Sequence, residues 1–390
     1  MKRHRIKERD NWQKTVESQG FPYHTAGKRP EGEITSGTYW AEDAYYEFTI
    51  EEIDELEAAT EELYTRMIDV AGRICEDTTL MGRIGIPEKF HGYVRDSWRR
   101  GDPTVYGRFD LSYDGRSPPK LLEFNADTPT TLIESSVIQW HWLEEVFAGQ
   151  DVDQFNSIHE KLIDTWRNLR PLMSKGSPLY FLAVDNLEEF ATVEYLRDTT
   201  QQAGLSSEFL FLQELGWNEA RRRFVDKDEK PVDYAFKLYP WEWLFEEAFA
   251  PHLLTASEET GFIQPPWMAV LSNKGILPIA WEMFPDHPNL LPAFWQEDRK
   301  LGRSWISKPL YGREGANMRI VDTRDAMATG GTYGEQPMVY QSLARLAKND
   351  GMYASLGSWI VGGKSAGICV REDERPIIVD KSRLVPHLFR

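Results

Sequence analysis

The chain has 390 residues, 41% hydrophobic and 27% charged, with a formal net charge of −17. That length predicts two lobes rather than one small core, and so negative a chain excludes a nucleic-acid surface, which needs concentrated Lys and Arg. The two cysteines, Cys75 and Cys369, have no CxxC partner, which excludes a disulfide scaffold and a zinc or iron–sulfur site and reads as two buried free thiols.

Residues 1–38 are polar and aperiodic, which predicts an arm and loops. The basic start MKRHRIKERD is followed by no apolar run, so it does not read as a secretory signal. No stretch has the roughly 18 to 20 apolar residues of a membrane span. These features predict a cytoplasmic chain. Thr49, with Glu51 and Glu52 behind it, caps a long amphipathic helix. Ile53, Leu56, Leu63, Met67 and Val70 carry it at helical spacing to about Cys75. A second helix is expected from Pro87 to Arg99.

The period then changes to two. Val105, Gly107, Phe109, Leu111 and Tyr113 alternate with Tyr106, Arg108, Asp110 and Ser112. After a turn, LLEFN forms the return strand of an antiparallel hairpin, with Leu122 and Phe124 pointing one way and Glu123 and Asn125 the other. Thr128-Pro129 opens the next helix, Thr as cap and Pro at its first position, running to about Phe147. A helix over 153–173 is expected next; then a buried strand PLYFLAV (178–184), a helix near 188–203 and a strand at 207–213 resemble a β-α-β unit. Strands near 221–225 and 232–238 follow, then mainly helix over 241–300. From about 303 the chain is β-rich: SWISKPL, ANMRIV, PMVYQSL, YASLGSWIV, SAGICVR and PIIVD. The class is α+β or α/β with a mostly antiparallel C-terminal sheet.

On the hairpin, Arg108 and Asp110 share one face, opposite Glu123 and Asn125. Two carboxylates, an amide and a guanidinium suit a hard cation beside a phosphate; a solvent-facing hairpin with an ion pair explains the pattern as well. A helix start just after it, at Asp127-Thr128-Pro129, adds an anion site. A strand ending in Lys308 leads into a loop with Gly312 and Gly315 around Glu314, able to cradle a triphosphate. Alone, that loop also reads as an ordinary turn. Lys274 sits at the mouth of a helix, Gln341 ends an apolar strand, and Arg371 ends a late one. Glu188 and Glu189 follow a strand, as helix caps or as holders of an ammonium.

Together YGRFD (106–110), LLEFNADTPT (121–130), FKLYPWEW (236–243), SNKGILP (272–278), KPLYGREGAN (308–317), GSWIV (357–361) and REDE (371–374) resemble the glutathionylspermidine synthase family, in the family's order, over roughly Gly20 to His387. The amidase domain of some members has no counterpart here, so the resemblance implies the synthetase domain alone. It implies an α+β, ATP-grasp-like (permuted) fold, with a mixed or antiparallel sheet around the ATP site and an additional α/β lobe. Its divisions would be an arm (1–38), helices plus the metal hairpin (39–175), an α/β lobe (176–260), and the lysine strands with the C-terminal sheet (261–390).

The resemblance further implies ATP and Mg²⁺, and a ligase that joins a peptide-like carboxylate to an amine through an acyl phosphate. Asp110, Glu123 and Asn125 match the family's magnesium ligands. Arg108 matches the residue that steadies the phosphoryl group, and Arg371 a late active-site arginine. Lys274 and Lys308 match the phosphate lysines, Gly312 to Gly315 the lid with Glu314 within it, and Gln341 the adenine hinge. Thr128 falls near the peptide, and Glu188 and Glu189 match acidic positions that hold an ammonium. One departure is DKSRLVPH (380–387): Lys381 and Arg383 stand where spermidine-using members have acidic residues, and a basic loop repels a polyamine. The resemblance says nothing of oligomeric state. Two other classes fit parts of the sequence, a silent ATP-grasp binder and a glycoside hydrolase with two carboxyls across a cleft.

Overall fold

The computed structural model of the chain describes residues 1–25, 38–173, 176–380 and 382–390. The long helix forms over Ile50–Cys75. The Thr49 hydroxyl accepts the Glu52 N–H at 3.3 Å, and the Glu52 carboxylate accepts the Thr49 N–H at 3.0 Å. Two N-terminal donors are thereby satisfied. Ile53, Leu56, Leu63, Met67 and Val70 are all buried. Thr60 Oγ1 meets Ser358 Oγ at 2.6 Å in the sheet below.

That sheet has six antiparallel strands. Arg383–Val385, Lys364–Asp373, Met352–Val361, Tyr106–Ser112 and Lys120–Asn125 lie in that order, and Ala347–Asn349 adds to Met352–Val361. The hairpin thus shares one sheet with the C-terminal strands. Gly357 lies opposite Asp110. A Cβ there would fall 2.6 Å from Cys369 Sγ and 2.8 Å from Arg108 Cδ, so a glycine is what lets the Arg108 side chain cross the strand.

A second sheet is wholly parallel, in the order Gly261–Ile263, Tyr234–Lys237, Leu179–Ala183, Ser207–Phe211. Helix Leu187–Gln202 makes the crossover between the last two, the expected β-α-β unit. A third, antiparallel sheet orders Ala293–Phe294, Met338–Ser342, Trp305–Pro309, Arg319–Val321 and Met327–Ala328. Residues 241–300 hold short helices at Trp241–Leu244, Ala250–Thr255 and Ile276–Met283. Cys75 and Cys369 are free and buried, as expected. Among the described residues, no helix is long and apolar enough to cross a membrane.

The N-terminal residues differ from an arm. Lys2–Arg5 pairs antiparallel with Ala44–Phe48, which pairs in parallel with His387–Phe389, and Trp12–Ser18 is helical. A buried carboxylate holds this polar strand: Glu372 accepts from Arg3 Nε at 2.7 Å and from Tyr46 OH at 3.0 Å. Hydropathy does not register such a tether. Residues 26–37 of the expected arm lie outside the described residues.

The helix expected from Thr128-Pro129 begins only after Thr131, whose φ of 71° is left-handed and breaks helical geometry. It then runs through a π turn at Glu134–Ile138 into Gln139–Val146. PIIVD (376–380) is not a strand. Arg371 Nη2 takes the Val379 carbonyl at 2.7 Å and the Asp380 carbonyl at 2.6 Å, acceptors that a ladder would need; Arg383–Val385 joins the sheet instead. In the hairpin a bulge follows the Asp110–Glu123 pair, so that Leu111 faces Leu121. Leu121 enters the core, and Leu122, expected there, lines the pocket described below.

His387 gives a stability prediction. The Gln139 amide donates to the Ser135 and Ile368 carbonyls at 2.6 and 2.9 Å, which turns its oxygen toward His387 Nδ1 at 3.0 Å. Burial pushes this imidazole down to about 3 from its ordinary 6.5. The unfolded chain therefore binds the proton first as pH falls. Stability contributed by neutral His387 is present above about 6.5 and is lost between about 6.5 and 3, at about 1.4 kcal/mol per pH unit. Urea unfolding of His387→Asn should show a shallower loss of stability from pH 6.5 to 5 than the parent chain.

Candidate active site

The strand register sets Arg108 opposite Asn125 and Asp110 opposite Glu123. These four line one pocket with Thr128, Lys274, Lys308, Gly312, Glu314, Gly315, Gln341 and Arg371. Elements distant in sequence supply it: the hairpin, the mouth of helix Ile276–Met283, strand Trp305–Pro309 with the glycine loop after it, strand Met338–Ser342 with Gln341, and strand Lys364–Asp373 with Arg371.

Arg108 is 4% exposed. Its Nε and Nη2 reach the two Asp110 oxygens at 2.8 and 3.3 Å, and its Nη1 donates to Thr130 O at 2.5 Å and Thr131 Oγ1 at 3.1 Å. Glu123 Oε2 lies 2.9 Å from Lys274 Nζ, and Asn125 Nδ2 lies 3.4 Å from Glu123 Oε1. Lys308 Nζ donates to Leu122 O at 2.8 Å and Gln341 Oε1 at 2.9 Å. Gln341 in turn donates to Leu121 O at 3.0 Å. Its side chain positions Lys308, and the chain just past the end of its strand, at Leu343 and Ala344, continues the wall.

Charge follows this geometry. Burial pushes Glu123 up, but Lys274 and Lys308 outweigh it and hold the carboxyl at about 2. Burial pushes Asp110 up, with the Glu123 charge adding and Arg108 opposing. Burial pushes Lys308 down to about 8, against the pull of Glu123. The glycine loop needs its glycines. Gly315 has φ +70°, and a Cβ on it would meet Ile378 O at 2.5 Å. Lys274 Nζ also donates to Gly312 O at 2.5 Å, tying the loop down.

Among the described residues no three His, Cys, Asp or Glu side chains gather as a metal cage. Two carboxylates and one amide on facing strands offer hard oxygen donors on one side only. That set fits a magnesium ion completed by phosphates and water, and the two lysines beside the glycine loop fit those phosphates.

Glu188 and Glu189 stand apart from this pocket's lining. Asn186 caps their helix by accepting their backbone N–H groups at 2.9 and 3.3 Å. The Glu189 carboxylate accepts Val184 N–H at 3.3 Å. Glu188 is pushed up to about 8 by burial and by the charges of Glu134, Asp380 and Glu314, against Arg371. The expected basic loop is different from a free one: Arg383 lies in strand Arg383–Val385 and pairs with Asp43 and with Glu372. Lys381 lies outside the described residues.

Several residues here were not foreseen. Arg313, in the glycine loop, reaches Glu242 at 2.5 Å and Thr128 Oγ1 at 3.2 Å, and lies over the Trp243 ring at 5.2 Å. Thr128 is thus an acceptor for the loop rather than a helix cap. Asp127 and Lys237 form a buried pair at 2.5 Å. Lys237 had a signal: a lysine inside the apolar run Tyr-Ala-Phe-Lys must find a carboxylate once buried.

A sequence model described as glutathionylspermidine synthase preATP-grasp matches residues 3–390. A putative acid–amine ligase of Haemophilus influenzae is 38% identical over 368 residues, covering 90% of this chain and 91% of that protein. The bifunctional glutathionylspermidine synthetase/amidase of Escherichia coli is 29% identical over 374 residues, covering 88% and 59%. Trypanothione synthetase of Crithidia fasciculata is 29% identical over 340 residues, covering 80% and 51%. The chain thus spans between half and three-fifths of the length of these last two. A solved glutathione synthetase-like effector of Globodera pallida superposes with a TM-score of 0.55 at 12% identity, over 97% of this chain and 98% of that one. That likeness bears out the α+β, ATP-grasp-like fold.

Proposed function

This chain belongs to the glutathionylspermidine synthase family, and on that premise we propose that it is an ATP- and magnesium-dependent ligase joining a small peptide carboxylate to an amine through an acyl phosphate. One observation carries the reading: the hairpin's oxygen donors, both lysines and the glycine loop line a single pocket. A silent binder has no use for metal ligands and phosphate lysines together.

ATP and magnesium, when bound, supply the phosphoryl group and neutralise its charge. Lys274 and Lys308 hold the phosphates, and Asp110, Glu123 and Asn125 hold the metal. Arg108, locked by Thr130 and Thr131, faces the transferring phosphoryl group. Asp110 on its other edge keeps the guanidinium oriented. Thr128 and Arg313, which meet at 3.2 Å, would contact the peptide, and Arg371 lines the same pocket. The amine attacks the acyl carbon and phosphate leaves, so no enzyme nucleophile is needed; catalysis is positioning and charge stabilisation.

The amine reading rests on Glu188, on which the charges of Glu134, Asp380 and Glu314 act and which suits a cationic, polyamine-like acceptor; Glu189 is the weaker candidate, being engaged by Val184. A glutathione-like peptide follows from the names of the relatives. Two buried free thiols suit a reducing compartment, and we place the chain in the cytoplasm. The test is ADP release from ATP and magnesium with peptides, glutathione included, crossed with polyamines and amino acids. Release that requires one carboxylate and one amine together is expected. Release without any carboxylate, or none with every pair, counts against the ligase.

A further inference from the structure

We propose that Lys274 couples metal binding to nucleotide binding, because the same ammonium either holds Glu123 or holds phosphate. The inference rests on the ligase reading and deepens it. Glu123 Oε2 is 2.9 Å from Lys274 Nζ. A divalent cation on Glu123 Oε2 competes with this ammonium for its lone pairs, and one on Oε1 still stands close to the positive charge. Like charges so close, with both side chains largely buried, oppose joint occupancy.

Lys274 can leave Glu123 without leaving the loop. Its Nζ donates to Gly312 O at 2.5 Å, on the loop suited to phosphates, and Lys274 is only 9% exposed, so bulk water is a poor alternative partner. A polyphosphate under that loop draws the ammonium toward itself and frees Glu123. Arg108 does not behave this way. It grips Asp110 at 2.8 Å but is also anchored on Thr130 O at 2.5 Å and Thr131 Oγ1 at 3.1 Å, so it stays in place whatever binds. Lys308 is likewise committed, to Leu122 O and Gln341 Oε1. Lys274 is therefore the one of these three cations placed to exchange partners. Linkage makes the effect reciprocal: phosphate raises metal affinity through Lys274, and metal raises nucleotide affinity by the same factor.

The test measures Mn²⁺ binding to the full chain, by loss of the free-ion paramagnetic resonance signal. Without nucleotide, Lys274→Gln should bind Mn²⁺ about tenfold more tightly than the parent chain. Lys274→Arg, which keeps the charge, should stay close to the parent. Lys274→Met serves the same comparison if the Gln variant does not fold. Equal Mn²⁺ affinity in the parent and a folded neutral variant overturns the proposal. Binding of methylanthraniloyl-ADP to the parent chain is measured alongside. Its failure to bind would count against the ligase reading, whereas normal ADP binding with unchanged Mn²⁺ affinity would count only against the role given to Lys274.

Discussion

Glu123→Ala and Asp110→Ala are each expected to lower ATP turnover by about a thousandfold or more while the protein stays folded. Removing a metal ligand removes charge stabilisation worth several kcal/mol in a phosphoryl transfer. The fold should tolerate the loss for a stated reason. The Asp110 and Glu123 side chains are 23% and 22% exposed, so losing either leaves a site that water reaches, and their mutual repulsion is relieved. Arg108 keeps Thr130 and Thr131 when Asp110 is lost, and Lys274 keeps Gly312 when Glu123 is lost. ADP release and circular dichroism on the same preparations decide the matter. Normal turnover in both variants would show that the hairpin is not the metal site.

The second large effect is on stability. Lys237 Nζ sits 2.5 Å from Asp127 Oδ1, with side chains 0% and 1% exposed. The other Asp127 oxygen accepts Trp241 N–H at 2.8 Å, and Lys237 also reaches Tyr239 O at 3.0 Å. Lys237→Ala leaves a buried carboxylate without its counter-charge and should cost about 3–5 kcal/mol in urea unfolding. The double variant Asp127→Asn with Lys237→Met should recover more than half of that loss, because it removes the uncompensated charge as well. No recovery would mean that Lys237 acts through packing alone. The pair also joins the parallel sheet to the turn before Thr128, and Arg313 and Glu242 meet at that turn. Lys237→Ala should therefore weaken the peptide side of the site more than the nucleotide side.

Features written along the chain were legible. The Thr49 cap and the spacing of Ile53 to Val70 specify a helix from local geometry alone. Alternation around Arg108 and Asp110 specifies which face they share, since a strand's side chains must alternate. The run from Lys308 to Gly315 announces a loop in which the backbone comes close to a neighbour. These are short-range properties, set by backbone sterics and hydropathy within a few residues, and so the amino-acid sequence by itself determined them.

What the tertiary structure decided depends on groups far apart in sequence. The bulge after Asp110 exchanges Leu121 and Leu122 between core and pocket, and alternation cannot foresee a register shift. The polar strand Lys2–Arg5 is ordered by Glu372, at the other end of the chain. Glu123 sits at about 2 because Lys274 and Lys308 arrive from two other elements, and Arg383 is neutralised by Asp43 and Glu372 rather than left to repel an amine. The last three share one physical reason. The energy of a charge depends on its burial and on the distance to its partner, and both exist only once the sheets have packed.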